Sequence, residues 1–88
     1  MSELKSIREQ IDEVDAEICA LLKKRMELTS QVAESKRGSG KAIRDEVREA
    51  QILLRVTELC GGEYAADIFR EIMRCSREQQ ADILGIKD

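Results

Sequence analysis

Polar side chains occupy positions that a helical repeat reserves for apolar ones in three stretches of this chain. In the first stretch, Arg25 stands at the heptad core position between Ile18 and Val32, and Lys36 lies further along the same face. The other members of the set are Asp45, Arg48 and Glu49 before Ile52, Ser76 and Gln80 beyond Met73, and Arg8 beside Ile7. Buried cations and amides are costly unless they are paired. A set that converges between helices therefore indicates an anionic, oxygen-rich ligand.

Each of these residues also has a structural explanation when it is taken singly. Arg25 could form a buried salt bridge with Asp45 or Glu49, and Ser76 and Gln80 could be satisfied polar residues near a bundle end. For the whole set a ligand is the better explanation, because cations outnumber carboxylates and because hydroxyl and amide donors accompany them.

The composition excludes several kinds of chemistry. The chain has no histidine, so any catalysis must use carboxylates, lysine, arginine or amides. Three widely spaced cysteines (Cys19, Cys60 and Cys75) without a CxxC motif argue against a disulfide framework and a zinc site, and we expect no metal. A net charge of -3 gives no general attraction for nucleic acid. Without a membrane-spanning apolar run or a signal-peptide pattern, the sequence predicts a cytoplasmic protein that binds neither nucleic acid nor membrane.

The elements that position the polar set are predicted to be helices. The 88 residues contain no proline and only two aromatic residues, so the turns and strands of a β-protein are missing. The sequence predicts one all-α domain over 1–88, with three helices at about 3–36, 44–60 and 63–84. The residues expected to face inward in the second and third helices are Ile52, Val56, Leu59, Ala65, Ile68, Phe69, Ile72, Met73, Ile83 and Leu84.

The first helix is too long for a small monomer. At 1.5 Å per residue it would extend about 50 Å, whereas a compact globule of this size has a diameter of roughly 30 Å. A single chain cannot cover its apolar stripe. A second copy of the chain, in a helical dimer that exchanges elements between protomers, is the expected solution.

Over essentially its full length, the chain resembles the small all-helical class of chorismate mutase. The motifs that carry the resemblance are Ile7-Arg8-x-x-Ile11-Asp12-x-x-Asp15, Leu21-Leu22-x-x-Arg25-x-x-Leu28, Lys36, Asp45-x-x-Arg48-Glu49 and Ser76-x-x-x-Gln80. The amphipathic parts are weakly specific, whereas the cations and donors at these spacings are strongly specific together. The resemblance implies an intertwined homodimer whose long first helix spans both halves and whose sites are shared between protomers.

The resemblance also implies a reaction, the Claisen rearrangement of chorismate to prephenate in aromatic amino-acid synthesis. This unimolecular step needs no cofactor and no covalent intermediate, which suits a chain without histidine. Catalysis then consists of holding the substrate in the reactive geometry and stabilising the negative charge that grows on the ether oxygen. By the same resemblance, Lys36 and Gln80 are the catalytic donors to that oxygen. Glu49 and the Asp45 region receive the ring hydroxyl.

The arginines are assigned to the two substrate carboxylates. The resemblance implies that Arg25 and Arg48 serve the site of their own chain, that Arg8 enters from the partner protomer, and that Ser76 assists. Which arginine holds which carboxylate is left open by the sequence.

Two other functions stay in consideration. A lyase of the same fold, which removes pyruvate from isochorismate, would use the same cationic pocket. A non-catalytic dimerisation or regulatory module would use Arg25 and Gln80 as polar residues that set the helical register. The connection 37–43 departs from the family pattern, since it lacks the usual proline and contains two glycines, so that closure over the site is less preorganised.

Overall fold

Three α-helices form the fold in the computed structural model, which describes residues 2–86. They are α1 (Ser2–Lys36), α2 (Glu46–Cys60) and α3 (Glu63–Leu84), and residues 2–86 contain no strand. The all-α prediction is therefore confirmed. The central helix is α3, which packs against both α1 and α2. No helix in the described part of the chain combines the length and the apolar character that a membrane span needs.

Local chemistry explains where α2 begins and ends. Asp45 is its N-cap, because the side-chain Oδ1 accepts a hydrogen bond of 2.9 Å from the backbone N–H of Arg48. The helix consequently starts at Glu46, two residues after the predicted start at 44. At the other end Gly61 adopts φ 67°, the left-handed conformation that glycine takes most easily, and its N–H donates to the carbonyl of Thr57. The chain can then turn at once into α3.

The outer part of α1 extends beyond the rest of the molecule. The molecule measures 56 × 24 × 21 Å, and every residue from 2 to 21 is exposed. The apolar stripe of this segment is therefore uncovered in the single chain, with Ile7, Ile11 and Ile18 about half exposed. This exposure matches the expectation that one chain cannot cover the helix.

The core of the single chain is small. Its buried apolar residues are Ala33, Val56, Ala66 and Met73, and within residues 2–86 no large side chain is fully buried. Two residues expected to face inward are in fact exposed, Leu59 at 71% and Ile68 at 60%. That part of the prediction is wrong for the isolated chain, because no element within residues 2–86 covers the faces of α2 and α3 that carry Leu59 and Ile68.

Candidate active site

A cavity of about 490 Å³ lies where the three helices meet. The predicted site residues that line it are Arg25, Lys36, Asp45, Arg48, Glu49, Ser76 and Gln80. The same cavity is lined by Arg77 and by apolar or small residues such as Leu28, Val32 and Ile52. The fold therefore brings together residues from both ends of the sequence, and Arg8 is the one predicted site residue that does not line this cavity.

Lys36 and Gln80 form a hydrogen-bonded pair at one side of the cavity. Lys36 Nζ donates to Gln80 Oε1 at 3.1 Å and to the carbonyl of Ile43 at 2.7 Å. Because an ammonium group is only a donor, it selects the amide oxygen and leaves the Nε2 hydrogens of Gln80 on the other side of the amide. Gln80 is only 7% exposed, so this donor is sheltered from bulk water. Lys36 retains a third N–H beyond these two bonds.

Arg25 is held by Ser76 and faces a second cation. Arg25 Nη1 donates to Ser76 Oγ at 2.8 Å, and the Ser76 hydroxyl donates to the carbonyl of Ile72 at 3.0 Å. Burial, and then the charge of Arg48, lower the pKa of the Arg25 guanidinium. Among residues 2–86, Arg25 forms no salt bridge with Asp45 or Glu49. The structure therefore does not show the buried salt bridge that was the alternative explanation for Arg25. Two neighbouring cations favour an anion between them.

Asp45 caps the N-terminus of α2 with one of its two carboxylate oxygens. Its bond to the backbone of Arg48 orients the first turn of the helix, which carries Arg48 and Glu49 to the cavity. The structure thus shows a capping role for Asp45. Its predicted contact with a substrate hydroxyl stays a prediction.

Glu49 is bonded by a residue that the sequence reasoning missed. Arg77 Nη1 donates to Glu49 Oε2 at 2.6 Å, and the side chains of this pair are 27% and 17% exposed. Arg44 Nε lies 3.7 Å from the other oxygen, Oε1, but its side chain is largely exposed. The sequence could have predicted this residue, because Arg77 follows Met73 by four positions and precedes Gln80 by three, which places it on the same face of α3.

Arg8 lies far from the cavity of its own chain. It is exposed on α1, and the 17 residues that separate it from Arg25 correspond to about 25 Å along the helix axis. An arginine side chain cannot bridge that distance. Arg8 can contribute only to a site of another chain.

The cavity is cationic although the whole chain is acidic. Its charged lining residues are the cations Arg25, Lys36, Arg48 and Arg77 and the carboxylates Asp45 and Glu49, which gives a local charge of +2 against -3 for the chain. A dianion is the ligand that neutralises this cavity. Among residues 2–86, no group of three or more carboxylate or thiol side chains is placed to hold a metal ion.

A family model and two of the similar proteins indicate one family. The family model for chorismate mutase type II matches residues 7–81. The chain is 33% identical over 75 residues to the intracellular chorismate mutase of Mycobacterium bovis, covering 85% of this chain and 70% of the relative. It is 40% identical over 60 residues to a chorismate mutase of Methanocaldococcus jannaschii, covering 68% of this chain and 61% of the relative. No solved structure matches the chain.

One match is to part of a much longer protein. A 3-dehydroquinate dehydratase of Pyrobaculum aerophilum is 44% identical over 52 residues, covering 59% of this chain. The chain spans only 17% of that relative. The family match, in contrast, covers α2 and most of α1 and α3, and it contains every predicted site residue from Arg8 to Gln80. The chain belongs to the chorismate mutase type II family, a family of isomerases.

Proposed function

We propose that the chain catalyses the rearrangement of chorismate to prephenate in a cavity that it shares with a second copy of itself. The observation that carries the proposal is the cavity of charge +2 in which the Lys36–Gln80 pair lies with Arg25 and Arg48. Chorismate is a dicarboxylate, so its charge matches the cavity. The reaction is unimolecular, so the protein needs no nucleophile and no redox group for it.

The donors of the Lys36–Gln80 pair stabilise the transition state. As the C–O bond breaks, negative charge grows on the ether oxygen, and the free N–H of Lys36 and the Nε2 group of Gln80 can both donate to it. Their mutual bond and the bond from Lys36 to Ile43 fix both groups before substrate binds. Such preorganised donors contribute about 2.7–4 kcal/mol each in enzymes where they have been removed.

The arginines hold the substrate in its reactive conformation. Arg25 and Arg48 bind the substrate carboxylates. The hydroxyl hydrogen of Ser76 is donated to the carbonyl of Ile72, so the Ser76 oxygen accepts from Arg25 and orients the guanidinium. Fixing both carboxylates places the flexible enolpyruvyl group over the ring, which removes much of the entropic part of the barrier. Glu49 is the acceptor for the ring hydroxyl, with Asp45 beside it at the start of α2.

A homodimer completes the site. The accessible surface of the single chain is 7278 Å², whereas a compact monomer of 10.0 kDa exposes about 5,200 Å². The excess of roughly 2,000 Å² per chain is of the size that obligate dimers bury. The α1 helix of a second copy would cover its own apolar stripe and would carry Arg8 to the neighbouring cavity.

A second, apolar cavity supports the same assembly. It occupies about 520 Å³ between α1 and α3, next to the cationic cavity, and includes Leu22, Met26, Ile68 and Ile72 in its lining. At its wall Gln79 donates to the carbonyl of Met26, while Gln79 Oε1 is buried without a partner within residues 2–86. A helix from a second copy of the chain, packed on this cavity, would cover the apolar lining and could supply a donor to the unsatisfied oxygen.

The experiment that tests the function is a turnover assay on the purified chain. Loss of chorismate absorbance with prephenate as the product supports the proposal. Release of pyruvate from isochorismate, with chorismate unchanged, would assign the lyase reaction instead. If neither compound reacts, the chain is a non-catalytic dimerisation or regulatory module. We also propose a cytoplasmic location, in keeping with the name of the M. bovis relative as an intracellular enzyme.

A further inference from the structure

Arg77 is the cation of the cavity that the proposed reaction does not use. It lies between Ser76 and Gln80 in the sequence of α3, and its guanidinium donates to Glu49 Oε2 at 2.6 Å, a bond that joins α3 to α2 at the cavity. The partner on the other side of Glu49, Arg44, is 3.7 Å away and 58% exposed. Solvent screens a charge at that exposure, so Arg77 is the main partner of the carboxylate.

The bond restricts what Glu49 can do. Glutamate has several accessible rotamers, and a carboxylate in a cavity with Arg25 and Arg48 is attracted to both. If Glu49 bonded to either of them, it would compete with the substrate carboxylates for the same guanidinium. Arg77 holds one oxygen of Glu49 on the α3 side of the cavity. The other oxygen, Oε1, has the largely exposed Arg44 at 3.7 Å and accepts no hydrogen bond within residues 2–86, so it can accept one from a ligand.

We propose that Arg77 is a positioning residue, which orients Glu49 to accept the ring hydroxyl of the substrate and keeps it away from the arginines that bind the carboxylates. This inference rests on the proposed function for the identity of the ligand, a cyclic dicarboxylate that carries a ring hydroxyl. Arg77 acts through Glu49 and makes no contact of its own with the substrate.

A double-mutant cycle tests whether Arg77 acts through Glu49. Arg77→Met keeps most of the side-chain volume and removes the charge, and it should lower kcat/KM for chorismate about tenfold to a hundredfold, the range for a lost hydrogen bond to a charged group. In the Glu49→Gln background the same substitution should change kcat/KM less than about threefold. Equal losses in the two backgrounds would overturn the proposal, because Arg77 would then act on the substrate directly or on the fold.

Two further variants separate positioning from a general effect on stability. Arg77→Lys keeps a cation that can bond to Glu49 and should retain kcat/KM to within about tenfold of wild type. Arg70→Met is the matched control, since Arg70 lies on the same helix and its ion pair with Asp67 is on the surface. It should leave kcat/KM unchanged. Circular dichroism checks folding, and if Arg77→Met does not fold, Arg77→Gln replaces it in the cycle.

The same cycle is run on ligand binding, which needs no turnover. Prephenate carries two carboxylates and a ring hydroxyl, and its binding to the four proteins of the cycle is measured by calorimetry. If wild type does not convert chorismate but the affinities are non-additive, the proposed function fails and the role of Arg77 stands. Additive affinities overturn the role of Arg77 whether or not chorismate reacts. Absence of prephenate binding together with absence of turnover overturns both.

Discussion

Replacing Gln80 by glutamate exchanges the amide nitrogen for an oxygen in a buried side chain of the cavity, which is 7% exposed. Lys36 already occupies the Oε1 side of this group at 3.1 Å, so the exchange occurs at the nitrogen that is proposed to donate to the ether oxygen. At pH 7 the glutamate is ionised, since the ordinary pKa of this side chain is about 4.3. The variant then presents a repulsive carboxylate where the wild type has an N–H donor.

The expected loss at pH 7 is large. Removing one preorganised donor to a developing oxyanion costs about 10²- to 10³-fold in rate, or about 2.7–4 kcal/mol, and repulsion from the carboxylate adds to it. Protonation restores an O–H donor at the same position. While the pH stays above the pKa of the introduced carboxyl, each unit of acidification raises the protonated fraction tenfold. Activity should therefore rise steadily as the pH falls from 8 to 5.

The assay is kcat/KM for chorismate across that pH range, compared with Gln80→Met. Methionine has a similar volume but neither donates nor titrates, so its activity should be low at every pH. The wild type should show no such acid-dependent rise, because an amide does not ionise in this range. A Gln80→Glu variant as active as wild type at pH 7, or one with a loss that acidification leaves unchanged, would refute the placement of Gln80 at the ether oxygen.

Three further outcomes are expected. The midpoint of thermal unfolding should rise with protein concentration, because the proposed dimer couples folding to association. A stable folded monomer in sedimentation at micromolar concentration would contradict the interlocked dimer. Arg8→Ala and Arg25→Ala homodimers should each be nearly inactive, whereas co-refolding both chains should return roughly a quarter of wild-type activity. Random pairing makes about half of the dimers mixed, and one of the two sites in a mixed dimer has both arginines. If heterodimers verified by mass spectrometry show no recovery, Arg8 does not belong to a site shared between protomers. Asp45→Ala should lower the free energy of unfolding by about 0.5–2 kcal/mol in denaturant titrations, because the N-cap of α2 is lost. Asp45→Asn should lose much less, because asparagine also caps a helix. Equal losses in both variants would show that the cap is not the source of the stability.

The positions of the helices follow from local sequence, and the sequence alone predicted them closely. Apolar residues at helical spacing predicted α1 and α3, and the glycines at 61 and 62 predicted the break between α2 and α3. The start of α2 was less accurate because a cap depends on the backbone angle of Asp45, which residue spacing does not reveal. The spacing of the polar residues likewise predicted which helix faces carry Arg25, Lys36, Ser76 and Gln80.

Partner choice across helices was decided by the tertiary structure. Residue types alone allowed Arg25 to pair with Asp45 or Glu49, but packing of α3 between α1 and α2 brings Ser76 to Arg25 and Arg77 to Glu49. A one-dimensional pattern reports which face a side chain occupies, whereas the distance between faces depends on how the helices cross.

The sequence by itself determined that the first helix is too long for a single chain to cover its apolar stripe, because helix length and apolar periodicity are local properties. It also indicated the family and, apart from Arg77, the charged residues that line the cavity. Only the tertiary structure decided that the cavity carries a charge of +2, that Lys36 locks the orientation of the Gln80 amide, and that Glu49 is held by Arg77. The two hydrogen bonds join residues 44 and 28 positions apart in the sequence, and such contacts are set by the packing of whole helices.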